Sequence, residues 1–87
     1  MSTAMRAKFL VTAVTPYKDG EGNTLQETLS FTAVAKSTPY PDDGSDEDNT
    51  FAKFSPSADC RITVANPALF GQFEAGQKYY VDFTPAQ

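Results

Sequence analysis

Apolar and polar residues alternate with period two along most of this chain. Residues 5–17 read MRAKFLVTAVTPY, with Met5, Ala7, Phe9, Val11 and Ala13 on one face and Arg6, Lys8 and Thr12 on the other. Leu10 and Val14 interrupt the polarity of that second face. Such alternation, rich in aromatic and β-branched residues, predicts a half-buried strand. KDGEGN (18–23) follows, with two glycines able to take positive φ in a turn. Residues 24–36 alternate again: Leu25, Leu29, Phe31, Ala33 and Ala35 share a face, and Thr24, Gln26, Thr28, Ser30 and Thr32 take the opposite one. Strand, glycine-rich turn and strand predict a β-hairpin.

The pattern then stops. STPYPDDGSDEDN (37–49) holds two prolines, a glycine and five acids, and is expected to be a loop. A short strand is predicted at TFAKF (50–54), a turn at SPSAD (55–59), and a third alternating strand at CRITVAN (60–66). In NPALFGQFEAGQ (66–77), Asn66 is a good N-cap, Pro67 suits a first helical position and Gly71 a stop, which predicts one helical turn. KYYVDFT (78–84) is the last strand, with Tyr79, Val81 and Phe83 in phase. The expected fold is therefore all-β: a small five-stranded barrel or two-sheet sandwich with one short helical turn before the last strand. An OB-like barrel belongs to that set, although such a barrel carries its helix earlier in the chain. The expected core comprises Phe9, Val11, Leu29, Phe31, Ile62, Val64, Val81 and Phe83.

Length and composition narrow the function. Eighty-seven residues make a single β-domain, residues 1–87, with residues 1–4 as an N-terminal arm and 37–49 as an acidic loop. A domain this small has a thin core, which a partner that binds only the folded state would stabilise. Eleven acidic residues against seven basic ones give a net charge of −4. The seven cations are scattered singly, whereas nucleic-acid affinity rests on clustered cations that neutralise phosphates. The same balance disfavours an anionic membrane surface. Cys60 is the only cysteine, so no intrachain disulfide forms, and its place in an apolar alternation suits a small buried hydrophobe better than a functional thiol. No charged–apolar leader and no apolar run of membrane length is signalled.

Catalytic ingredients are scarce. The chain has no histidine, which removes the commonest general base and the commonest zinc ligand. It carries no glycine-rich phosphate cradle. The paired carboxylates fall in the acidic loop, where water would keep them ionised. That loop (Asp42, Asp43, Asp46, Glu47, Asp48) has calcium-compatible chemistry but not EF-hand spacing: Phe51 stands where the glycine belongs after Asp46-x-Asp48. Asp19-x-Glu21-x-Asn23 fails likewise at Thr24. The loop reads first as a solvated, solubilising segment, second as a contact for a basic partner patch, and last as a cation site. Phe70, Phe73, Tyr79 and Tyr80 read as core or subunit-contact aromatics, because base-stacking sets are interleaved with cations and the neighbours here are Glu74, Asp82 and only Lys78. No cofactor and no metal are expected.

AKFLVTAV (7–14) and NPALFGQFEAGQKYYVDFTP (66–85) resemble small β-rich proteins of tailed bacteriophages, of decoration or accessory type. The resemblance spans both ends of the chain and leaves out the acidic middle. It implies a phage origin and brings no catalytic residues. The expected function is a non-catalytic virion subunit, a capsid decoration (cement) protein or a head or tail accessory, held on a larger protein assembly and located in the virion. The candidate contact residues are Tyr40, Asp42, Asp43, Asp46, Glu47, Asp48, Phe70, Phe73 and Tyr80. The alternative is an accessory binding protein in the host cytoplasm, either an OB-like single-strand DNA binder or an inhibitor of a host protein. A homo-oligomer is compatible with either.

Overall fold

A computed structural model describes residues 5–87 and shows one open, antiparallel four-stranded sheet. The strands are β1 (Met5–Lys18), β2 (Thr24–Ala33), β3 (Asp59–Val64) and β4 (Lys78–Phe83), in spatial order β3-β2-β1-β4. The expected N-terminal arm, residues 1–4, lies outside the described residues. The predicted hairpin is the centre of the sheet. Its turn is held by Asp19, whose Oδ1 accepts from the amides of Glu21 (2.8 Å) and Asn23 (3.0 Å). These bonds hold the Asp19 carboxyl below its ordinary range, and Gly22 supplies the positive φ, +86°, that the turn requires.

A β-bulge at Thr12 resolves the broken polarity of β1. The register jumps between Val11, opposite Phe31, and Ala13, opposite Ser30. One extra residue flips the phase of everything after it. Val14 thus stands opposite Leu29 and packs against the core, and Ala13 leaves the face it was expected to share with Val11.

The expected barrel or sandwich does not form, because the fifth strand is missing. Residues 50–54 contribute one isolated bridge, Ser45 to Lys53, and no ladder. Their chain is turned instead by Phe54, whose φ of 66° is costly for an aromatic residue, about 1 kcal/mol. With six-residue outer strands and nothing to join them, β3 and β4 remain edges. The predicted helical turn is a 3-10 turn at Pro67–Leu69, capped by Asn66 Oδ1, which accepts from the Ala68 amide at 3.0 Å.

One face of the sheet carries the core: Ala7, Phe9, Val11, Leu29, Phe31 and Val64 are buried. Val81 is half-buried against them. Ile62 and Phe83, expected in the core, are each 47% exposed. Their phases are as read, since Ile62 stands opposite Leu29 and Phe83 opposite Met5. They lie on edge strands that no second layer covers fully. Leu25, in phase with Leu29, is also exposed, near the end of the hairpin.

Candidate partner-binding site

The acidic segment is not a solvated loop. It folds back on itself around Asp46, which is 4% exposed, and Asn49, which is fully buried. Asp46 Oδ1 accepts from the amides of Asp48 and Asn49, both at 3.0 Å. Its Oδ2 accepts from the Tyr40 hydroxyl at 3.0 Å and from Asn49 Nδ2 at 3.2 Å. Burial pushes this carboxyl up, and the bonds from Asn49, Tyr40 and the backbone outweigh that and hold it below its ordinary range. The Tyr40 hydroxyl is raised, by burial first and by Asp46 second.

Asn49 ties the segment to the sheet. Its Oδ1 accepts from the Lys8 amide at 2.8 Å, and its Nδ2 donates to the Val34 carbonyl at 2.8 Å. Next along the chain, Thr50 donates its amide to the Arg6 carbonyl (2.9 Å) and its Oγ1 accepts from the Arg6 amide (2.9 Å). Beyond Phe9 the β2 ladder has ended, so residues 49–50 take over the backbone groups that β2 leaves on the first residues of β1. Buried backbone groups demand partners, and the polar segment supplies them.

A small aromatic cluster completes this lobe. The Tyr40 and Phe54 rings are 6.0 Å apart, and Lys36 Nζ lies 5.7 Å from the Tyr40 ring centroid while bonding Glu47 at 3.1 Å. Gly44, with φ +74°, lies directly under Phe54; a Cβ there would sit 2.5 Å from the ring.

The candidate residues therefore divide. Tyr40, Asp46 and Asp48 are engaged inside the lobe or against the sheet. Asp48 pairs with Lys8 Nζ at 3.4 Å and accepts from the Tyr80 hydroxyl at 3.1 Å. Tyr80 is 55% exposed, and the Arg6 guanidinium stacks 4.7 Å from its centroid while bonding Asp82 at 2.7 Å. Asp42, Asp43 and Glu47 remain exposed. Asp43 accepts from the Ser45 amide at 3.0 Å, which lowers its carboxyl; Glu47 is lowered by its own backbone amide and then by Lys36. Phe70 and Phe73 belong elsewhere: both are half-buried over the core, with Phe73 5.2 Å from Tyr79. The nine residues do not form one site.

Sequence reasoning missed three features. Glu27 is buried on the core face, and its carboxylate accepts from the Gly71 amide at 3.2 and 3.3 Å, tying the 66–77 segment to β2. Asn49 carried no signal beyond its type. The third is an apolar hollow of about 220 Å³ at the other end of the core face, lined by Met5, Ala7, Phe9, Phe51, Ser57, Ala58 and Phe83. Met5, Phe51 and Phe83 are 42%, 38% and 47% exposed. The exposed phenyl in an acidic, turn-rich segment was the available clue to it. A wider, shallow depression of about 450 Å³ is lined by Thr12, Ser30, Phe31, Thr32, Asp59, Cys60 and Arg61. Among the described residues no cluster of three metal-ligating side chains occurs. No helix among them is long and apolar enough to cross a membrane.

What the hollow can do is hold an apolar side chain. Apart from Ser57 it offers phenyl, aliphatic and thioether surface, whose burial is favourable. No protein-family model, curated protein or solved structure matches this chain at a significant level.

Proposed function

We propose that this chain is a non-catalytic accessory subunit of a larger protein assembly, a capsid decoration or head or tail component of a phage particle. The observation that carries the reading is the half-covered core face. Phe70 and Phe73 cover one part, and the part around Phe9 and Phe83 opens as the apolar hollow. An apolar segment of the partner fits the hollow, and burying it would add stability to a thin core. The acidic lobe supplies the hollow's Phe51 and also presents Asp42, Asp43 and Glu47 to solvent, acids that suit a basic rim on the partner. The phage origin rests on the resemblance at residues 7–14 and 66–85.

The test is retention on purified particles of the encoding phage. Phe83→Asp is expected to abolish retention, and Asp42→Asn with Asp43→Asn to shorten it most at low salt. Wild-type protein absent from the particles removes the virion reading. The alternative of a single-strand DNA binder loses its OB-like barrel to the open sheet. Binding to single strands is expected to be undetectable at near-physiological salt; tight binding with a steep salt slope would restore that reading.

A further inference from the structure

We infer that β4 is a self-association edge: it pairs antiparallel with β4 of a second copy, joining two sheets into one of eight strands about a two-fold axis. The inference is independent of the virion reading and concerns the purified chain alone.

The backbone comes first. On β1 the amides and carbonyls of Arg6 and Lys8 are bonded toward the β2 side, to Thr50, Asn49 and Val34. In an antiparallel ladder successive residues bond to opposite sides, so Ala7 and Phe9 face β4, where their partners are Val81 and Tyr79. By the same alternation, Lys78, Tyr80 and Asp82 turn their N–H and C=O groups outward. Among the described residues no strand covers that edge. An open row of this kind is a template for another strand. β4 carries no proline and no bulge, and no charge points to its core face.

The side chains then select the occupant. Lys78, Tyr80 and Asp82 share the polar face, opposite Leu10, Lys8 and Arg6. In the antiparallel register that sets Tyr80 against Tyr80 of the copy, each Lys78 faces the Asp82 of the other chain. The strand KYYVDF is thus charge-complementary to itself, in two symmetric pairs. On the core face the same register sets Tyr79 beside Val81 of the copy and continues the apolar surface across the axis. The other edge fits a copy less well. On β3, matching Asp59 with Arg61 of the copy leaves Ile62, Thr63 and Val64 outside the overlap.

Sedimentation velocity on the full chain tests this. The expected result is a dimer of twice the 9.4 kDa chain mass. Lys78→Glu sets like charges opposite each other twice and is expected to weaken the dimer about tenfold. Tyr80→Pro removes an outward N–H that β1 does not use, and is expected to give a folded monomer. The register has its own readout. A directly opposed hydrogen-bonded pair has Cα atoms about 5.5 Å apart, within disulfide reach. Cys60→Ser with Tyr80→Cys is therefore expected to oxidise to a covalent dimer, and Cys60→Ser with Asp82→Cys is not. A chain monomeric up to about 1 mM (a threshold of about −4 kcal/mol) overturns the inference. So does a wild-type dimer that oxidises through Cys60, which would place the contact on β3.

Discussion

Two segments outside the sheet lie against it, and they are held by opposite chemistry. Residues 66–77 bring apolar contact, with Phe70 and Phe73 lying on the core, and their polar ties are few: the Gly71 amide to Glu27, and Gly76 and Gln77 to the backbone of Val11. Residues 36–54 are held by a polar network centred on Asp46 and Asn49, with a small Tyr40–Phe54 contact beside it. Both cover groups that would otherwise be left without partners. The first covers hydrocarbon, and the second covers the backbone of β1 where β2 has ended. An acid-rich composition is therefore not the same as a solvated loop. A carboxylate that meets four donors can be as much a part of the fold as a phenylalanine.

Breaking the apolar side is expected to have the largest effect. Phe31 is 7% exposed and its ring lies 6.1 Å from Phe9. Phe31→Ala is expected to lose about 3–5 kcal/mol, enough to unfold much of so small a domain, as read by urea denaturation. Asn49→Ala comes close behind. It strips the Lys8 amide and the Val34 carbonyl of their partners, at an expected cost of about 3 kcal/mol. Asp46→Asn keeps the shape but loses the charge that accepts from Tyr40 and two amides, and about 1–3 kcal/mol is expected. Asp42→Asn, in the same acidic run but exposed, is expected to stay within about 0.5 kcal/mol. A solvated loop would make all three polar changes equally small.

The pH dependence sharpens the contrast, because the Tyr40–Asp46 pair titrates at both ends of the scale. Asp46 is held below its unfolded value, so the unfolded chain binds more protons in acid. Its contribution is fully present above about pH 4 and is lost as pH falls through the folded value. Asp19, Asp43 and Asp82 shift the same way and add to the acid limb. Tyr40 is raised, so its contribution is present below about pH 10 and is lost as pH rises through the folded value. Asp46→Asn is expected to flatten the acid limb, and Tyr40→Phe the alkaline one. A small effect is also expected at Glu47: Glu47→Gln loses the pair that its exposed carboxylate makes with Lys36, and the shift in denaturation midpoint is expected to be smaller than that of Asp46→Asn.

The strands were legible because alternation reports which residues share a face. Phe9, Val11, Leu29, Phe31 and Val64 were all read in their buried positions. Alternation says nothing about how many layers a sheet has. Ile62 and Phe83 were therefore placed on the right face and assigned a cover that is not there. The bulge at Thr12 left a trace in the misplaced polarity of Val14, but periodicity alone does not tell a bulge from a surface valine. The lobe was hidden for a different reason. The partners of Asp46 and Asn49 are partly backbone groups of β1 and β2, set by tertiary position and invisible to residue type. Five acids in a row of turn residues look the same whether water or amides satisfy them.

Amide hydrogen exchange on the free chain tests the central claim, that the acidic segment is a folded part of the domain, most directly. The amides of Asp48 and Asn49, which donate to Asp46, and of Thr50, which donates to the Arg6 carbonyl, are the ones to follow. Protection of all three, comparable with that of the Val11 amide, which donates to the Gln77 carbonyl away from this lobe, and lost together in Asp46→Asn, is the predicted result. Exchange at the rate of an unstructured peptide, with β1 still protected, would contradict it.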